Sequence, residues 1–186
     1  MYKSQIANFI RSLLIISMLF AQTACGLQDR GLEFSSGAGQ IEIVKLLLLI
    51  GADINARNEH GATALMAACL MGHSDIVKLL LEKGADLNIR DKYGGTVLMV
   101  ACAGEHEDIV RLLLDRGADI NATAGGGWTA LILVSGVGHF NLVKLLVDRK
   151  ADINARDARG DTALSAALKK NHTQIVAFLK AHGAQE

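Results

Sequence analysis

His60-Gly61-Ala62-Thr63-Ala64-Leu65-Met66-Ala67-Ala68-Cys69-Leu70-Met71-Gly72-His73-Ser74-Asp75-Ile76-Val77-Lys78-Leu79-Leu80-Leu81-Glu82-Lys83-Gly84-Ala85-Asp86-Leu87-Asn88 is the stretch around which the chain is built, because the sequence repeats it. A step of 33 residues leads from Gly61 to Gly94, Gly127 and Gly160, from Thr63 to Thr96, Thr129 and Thr162, and from His73 to His106, His139 and His172. No residue is skipped. A fixed period of this size means stacked supersecondary units, each too small to bury its own apolar face.

The motifs within the period are Gly-x-Thr-x-Leu, then Gly-His, then Ile-Val-Lys-Leu-Leu, then Gly-Ala-Asp-Ile-Asn-Ala. With its Thr-x-Leu-x-x-Ala core, this pattern resembles the ankyrin-repeat family over residues 28–186. The resemblance implies an all-α solenoid of stacked helix-turn-helix units with connecting β-turns or hairpins. It also implies binding of a protein partner, chosen by surface residues that vary between members. The expected units are 28–60, a degenerate first repeat, then 61–93, 94–126, 127–159 and a truncated C-terminal cap at 160–186.

Composition suits such an array. Hydrophobic residues make up 51% of the 186 and aromatics only 4%, as expected where helix pairs pack on Ala, Leu, Ile and Val. Lys plus Arg and Asp plus Glu are 19 each, and the signs alternate along the helices, as in Asp115-Arg116 and Asp148-Arg149. A nucleic-acid-binding surface needs a basic excess, so that class of partner is set aside.

Residues 1–24 read as a signal peptide: Lys3 and Arg11 without an acid, then the apolar run Ser12–Ala21 ending near small residues. Arg11 leaves about ten uninterrupted apolar residues, short of the roughly 20 a spanning helix needs. Gln22-Thr23-Ala24-Cys25-Gly26 resembles a bacterial lipobox, which implies lipid attachment at Cys25 and an anchor starting at 25–27. Gln22 departs from that pattern, where an aliphatic residue is usual. Ordinary cleavage near Ala24, or an unlipidated structural Cys25, are the alternatives. The protein is expected to be exported to the cell envelope, lipid-anchored or else periplasmic or secreted.

In the first unit Arg30 replaces Thr and Gln40 replaces His. Gly37 and Gly39 within Leu32–Gln40 predict a poor helix and a frayed end, since glycine inside a helix costs up to about 1 kcal/mol relative to Ala. Leu49 and Ile50 stand where later units carry Glu82-Lys83, Asp115-Arg116 and Asp148-Arg149. Burial under residues 26–36 is preferred for them over contact with a membrane or partner. In the later units the Thr hydroxyl is a helix N-cap, Gly72 and Gly138 turn the chain into the second helix, and Asn55, Asn88, Asn121 and Asn154 bond backbone in the following turn. Lys150 occupies the place held by Gly51, Gly84, Gly117 and Gly183. There is no proline, and Met66, Met99, Ile132 and Ser165 stand where the family usually has His.

The four equivalent histidines are not read as a metal site. Matching positions in stacked helices lie about 10 Å apart, whereas zinc ligands converge at about 2 Å from one ion. Their expected role is to bond the inter-helix loops. Cys69 and Cys102 read as small buried core residues rather than a disulfide or reactive thiols. No phosphate loop, nucleophile elbow or paired-carboxylate motif is found, so no catalytic residue or cofactor is assigned. The Asp residues at 53, 86, 119 and 152 belong to turns spread along a solenoid.

Within the family the turn tips and the exposed side of the inner helices meet the partner. That register assigns partner binding to Tyr93, Trp128 and Arg159 as anchors, helped by Leu70 and Met71, with Lys92, His60, Glu59, Asp161 and Val137 around them. Against this, Trp128 can instead pack on its neighbouring turn. The sequence is thus read as a monomeric, non-catalytic binding module of the envelope. A secreted host-directed protein, or an accessory subunit or inhibitor of an envelope enzyme, is the alternative.

Overall fold

A computed structural model describes residues 25–185, and the signal-peptide reading of 1–24 lies outside it. The described residues form five helix pairs: α1 (Cys25–Gly37) with α2 (Ile41–Leu49), α3 (Ala64–Met71) with α4 (Ser74–Glu82), α5 (Val97–Ala103) with α6 (Glu107–Asp115), α7 (Ala130–Val137) with α8 (Phe140–Asp148), and α9 (Ala163–Lys169) with α10 (Thr173–Ala181). Odd-numbered helices form an inner layer and even-numbered ones an outer layer. Contact between units runs mainly through the inner layer. No β-strand occurs among the described residues; the connecting hairpins are tight turns, closed for instance by Asp91 N–H donating to the Gly95 carbonyl at 3.0 Å.

The inner helices α3, α5, α7 and α9 start where the sequence places their caps. The hydroxyl oxygens of Thr63, Thr96, Thr129 and Thr162 accept from the N–H groups of Met66, Met99, Ile132 and Ser165 at 3.2–3.4 Å. Ser165 returns a bond to the Thr162 N–H and completes a capping box. One continuous core runs beneath the caps, with Ile76, Ile109, Leu80, Leu113, Leu146 and Leu164 fully buried. Burying each such side chain stabilises by about 1.5–3 kcal/mol, but only while the neighbouring unit covers it.

Polar groups link the units at the same interval. The Lys92 N–H donates to the His60 carbonyl, Gly125 N–H to Tyr93 and Ala158 N–H to Gly126, at 2.8–2.9 Å, joining tip to tip. Arg57 and Arg90 each donate to a carbonyl of the next unit, at Arg90 and Thr123, at 2.6 Å. The Asn residues also reach onward rather than into their own turn. Asn55, Asn121 and Asn154 accept from the N–H groups of Asp86, Asp152 and Gln185, each 31 residues ahead, while Asn88 donates within its own turn, to Asp86.

The histidines do bond the inter-helix loops, and the geometry explains which residue each can face. Rings of His73, His106 and His172 meet the carbonyls of Gly37, Leu70 and Gly136 in the preceding unit at 3.0–3.2 Å. Each lies against a left-handed glycine; a Cβ at Gly138 would come within 2.6 Å of the His172 ring. The third unit has Glu105 at that place, also left-handed at φ 65°, and the last has Asn171 at φ 59°, so the place is not restricted to glycine. There the His139 ring pairs with the Glu105 carboxylate at 3.2 Å instead.

Two expectations for the first unit fail. The inner helix is not the poor segment Leu32–Gln40: it starts earlier, at Cys25, and runs 13 residues. Gly37 is its last residue, and Gly39, at φ 73°, serves the turn, so neither glycine weakens a helix centre. Leu49 and Ile50 are not buried under residues 26–36; they are 83% and 49% exposed.

Lys150 is left-handed at φ 68°, like the equivalent glycines of the other units at 89–94°. A Cβ there is strained by roughly 1–2 kcal/mol, while glycine adds unfolded-state entropy of about 0.4–1 kcal/mol. Lys150→Gly is therefore expected to stabilise the array by a few tenths to about 1 kcal/mol, and Gly117→Lys to destabilise it similarly. Urea melts of the two variants check this, and a clearly destabilised Lys150→Gly would break the equivalence of that unit with the others.

Candidate functional site

The structure gathers four of the assigned residues around one groove between the fourth and fifth units. Trp128 and Asp161 come from the turns that enter α7 and α9, Val137 from the end of α7, and Arg159 from the tip between these units. The groove holds about 480 Å³ and is floored by Ile132, Leu133 and Ala166. Gly136 faces Ala166 across the groove, where an added Cβ would sit 3.6 Å from the alanine methyl, an ordinary contact distance. Trp128 is half-buried against the core, and the Arg159 guanidinium lies 5.8 Å from its ring centre, a cation–π arrangement. The packing reading of Trp128 thus holds in part, with one side of the ring against the core and another lining the groove.

Electrostatics fix the rim. Asp157 accepts the N–H groups of Arg159 and Asp161 on Oδ1 at 2.8 Å, which shapes the tip. Its Oδ2 is buried without a hydrogen-bond partner, 3.8 Å from Arg159 Nε. Lys169 binds both carboxylate oxygens of Asp161 at 2.6 and 2.7 Å. That contact, with the Ser165 hydroxyl, holds the Asp161 carboxyl below the usual carboxylate range. Lys169 and Lys170 line the groove as fully as Arg159 does. Neither is among the residues assigned from the sequence; the signal that could have found them is their register at the end of the last inner helix, one period each beyond Gly136 and Val137.

The other assigned residues lie on earlier units, outside this groove. Tyr93 is 74% exposed at its tip, beside exposed Lys92. Leu70 and Met71 end α3 and are exposed on the inner face. Glu59 and His60 share a tip, 3.9 Å apart. The assigned surface is therefore a row of tips and inner-helix ends along one side of the solenoid, deepening into a groove at Trp128. Cys25 is the first residue of α1.

The two core cysteines contribute no reactive group. Cys69 and Cys102 are fully buried, and burial pushes both thiols up to about 12. Among the described residues no helix is long and apolar enough to cross a membrane.

Comparison with known proteins agrees with the geometry. A family model described as ankyrin repeats (3 copies) matches residues 32–124 and 121–186, and the chain belongs to the ankyrin-repeat family. Over 42 residues, 23% of the chain, it is 57% identical to the E3 ubiquitin-protein ligase XBAT33 of Arabidopsis thaliana. It is 55% identical over 42 residues, again 23% of the chain, to the probable E3 ubiquitin-protein ligase XBOS33 of Oryza sativa subsp. japonica. The chain spans only 8% of either relative's length.

The raised thiol pKa values carry a sign. Folding holds both protons, so the stability they support is complete below the ordinary thiol pKa near 9 and is lost as pH rises from there toward about 12. In the Cys25→Ser chain, a disulfide reagent at pH 8 is expected to find no accessible thiol until urea unfolds the array, and then two. Two thiols titrating in the folded chain would contradict the burial.

Proposed function

We propose that this chain is a non-catalytic protein-binding module exported to the cell envelope and held there by lipid on Cys25. The observation that carries the binding reading is the groove in which Trp128, Arg159 and Val137 converge on an apolar floor. Trp and Arg are among the side chains that most often dominate interfaces, where the bound partner closes them off from water. Exposed Leu70, Met71 and Tyr93 extend the same side of the solenoid. Ala103 and Gly104 leave its middle shallow, which suits a protruding segment of the partner. Export and lipidation rest on the sequence of residues 1–25 alone.

The plant ligases support the scaffold and no more, since the shared segment is a small fraction of each. An accessory or inhibitory role toward an envelope enzyme is the particular form of the proposal that a lipid-held binding module fits best. A secreted host-directed role is the competing form, and lipid on Cys25 would speak against it.

Two measurements test the proposal separately. Cells grown with a labelled fatty acid should tag the chain, and Cys25→Ser should abolish the tag; an untagged, soluble chain would end the anchoring reading. With bait purified from envelope extract, Trp128→Ala and Tyr93→Ala should each weaken the captured partner by about 1–4 kcal/mol. Lys144→Ala, on the outer layer, should change it little. Equal losses from both sets would place the binding face elsewhere.

A further inference from the structure

The two ends of the solenoid differ in a way the repeat does not require. Ile43 is followed, one period apart, by Ile76, Ile109, Leu142 and Ile175, all at most 3% exposed, yet Ile43 itself is 44% exposed. Phe34 and Leu46 are 72% and 55% exposed for the same reason: the second unit covers one side of the first, and no described residue covers the other. At the opposite end the last helix presents Thr173, Gln174, Lys180 and His182, the polar outer face that a terminal repeat needs for solubility. The first unit lacks that device. It also goes further than an uncovered core, because Leu49 and Ile50 replace the acid–base pair that the next three units keep in water.

The chain enters the fold beside this apolar end. Helices α1 and α2 run antiparallel, so the start of α1 meets the end of α2. Asp29 Oδ1 accepts from the Asp53 N–H at 3.0 Å, and a Cβ on Gly31 would lie 3.5 Å from Leu47 Cδ1. Cys25, the first described residue of α1, thus lies on the side of the body that carries Leu49 and Ile50. The charge within the patch is neutralised locally, since Lys45 bonds Glu42 at 2.7 Å.

We infer that this end of the first unit is a second membrane contact: Phe34, Ile43, Leu46, Leu49 and Ile50 seat the solenoid on the lipid surface to which Cys25 holds it. The inference rests on the anchoring reading above. A lipid surface is the occupant because the anchor and the apolar face share one end of the body while the polar end points away. Lipid on Cys25 holds the chain at the surface without fixing how the body lies on it. The contact sets orientation. With its first unit on the lipid, the solenoid stands up from the surface and carries the Trp128 groove, three units away, clear of it.

A probe on Leu49 reads the environment directly. Leu49→Cys alters a side chain 83% exposed, and Cys69 and Cys102 are buried, so a thiol-reactive fluorophore goes to position 49. The full chain, tagged with fatty acid in cells, is reconstituted into phosphatidylethanolamine–phosphatidylglycerol vesicles; Lys144→Cys, labelled in the same way, is the control. A nitroxide-bearing phospholipid is expected to quench position 49 at least about three-fold more than position 144, and aqueous iodide to do the reverse. Iodide quenching both positions alike in fatty-acid-tagged protein would overturn the inference and leave the anchoring reading standing. Protection of position 49 from both quenchers would also overturn it, because protein would then cover the face, either residues 1–24 or a second copy. Absence of the fatty-acid tag would show separately that the anchoring reading had failed.

Discussion

Each unit of this chain leaves groups that only the unit about 33 residues further on can satisfy, and everything else in the structure depends on that constraint. A helix pair alone would leave one apolar face in water and the carbonyls of its loops without protein partners. The neighbour supplies both. Its inner helix covers the face, its histidine ring meets the loop carbonyl, and its tip N–H closes onto the tip before it. Burial carries most of the energy. The polar links contribute direction, because an unmatched buried carbonyl costs about 1–3 kcal/mol and so penalises any slip in stacking.

The architecture was legible because this constraint writes itself into the sequence as a period. Gly61, Thr63 and His73 with their successors located the tip turns, the caps and three of the four histidine bonds from residue 61 onward, and the Thr caps appear as read. What stayed hidden were interactions that depend on a side chain from a different unit. Nothing around Asn55 indicated that it would accept from Asp86 rather than from its own turn. Glu105 sits at a left-handed place held by glycine in three other units, and only the position of the His139 ring shows how the carboxylate is used. The first helix was misjudged because glycine was costed as if in a helix interior, whereas Gly37 and Gly39 lie at its end.

The candidate site was legible in part. Register alone put Trp128, Arg159, Val137 and Asp161 on the same side of the molecule, and the structure draws them around one groove. It did not reveal the groove itself, which both α7 and α9 line, Gly136 and Ala166 among their residues. Nor did it settle the surroundings of Leu49 and Ile50, whose exposure depends on how far α1 extends. A one-dimensional stack has two free ends, and here they are chemically unlike, polar at the last unit and apolar at the first. That polarity gives the array a direction, and the groove lies toward the end away from the chain's entry.

The dependence of every unit on its neighbours is tested most directly by breaking one link and observing a distant one. His106→Ala removes the ring that meets the Leu70 carbonyl, at the junction of the second and third units. Trp128, the single tryptophan, reports from the fourth. In urea, the account predicts that tryptophan fluorescence and helical circular dichroism fall together in one transition, both at a lower midpoint than in the unchanged chain. A tryptophan transition that stays at its original midpoint while the helical signal shifts would contradict it, showing units that stand on their own.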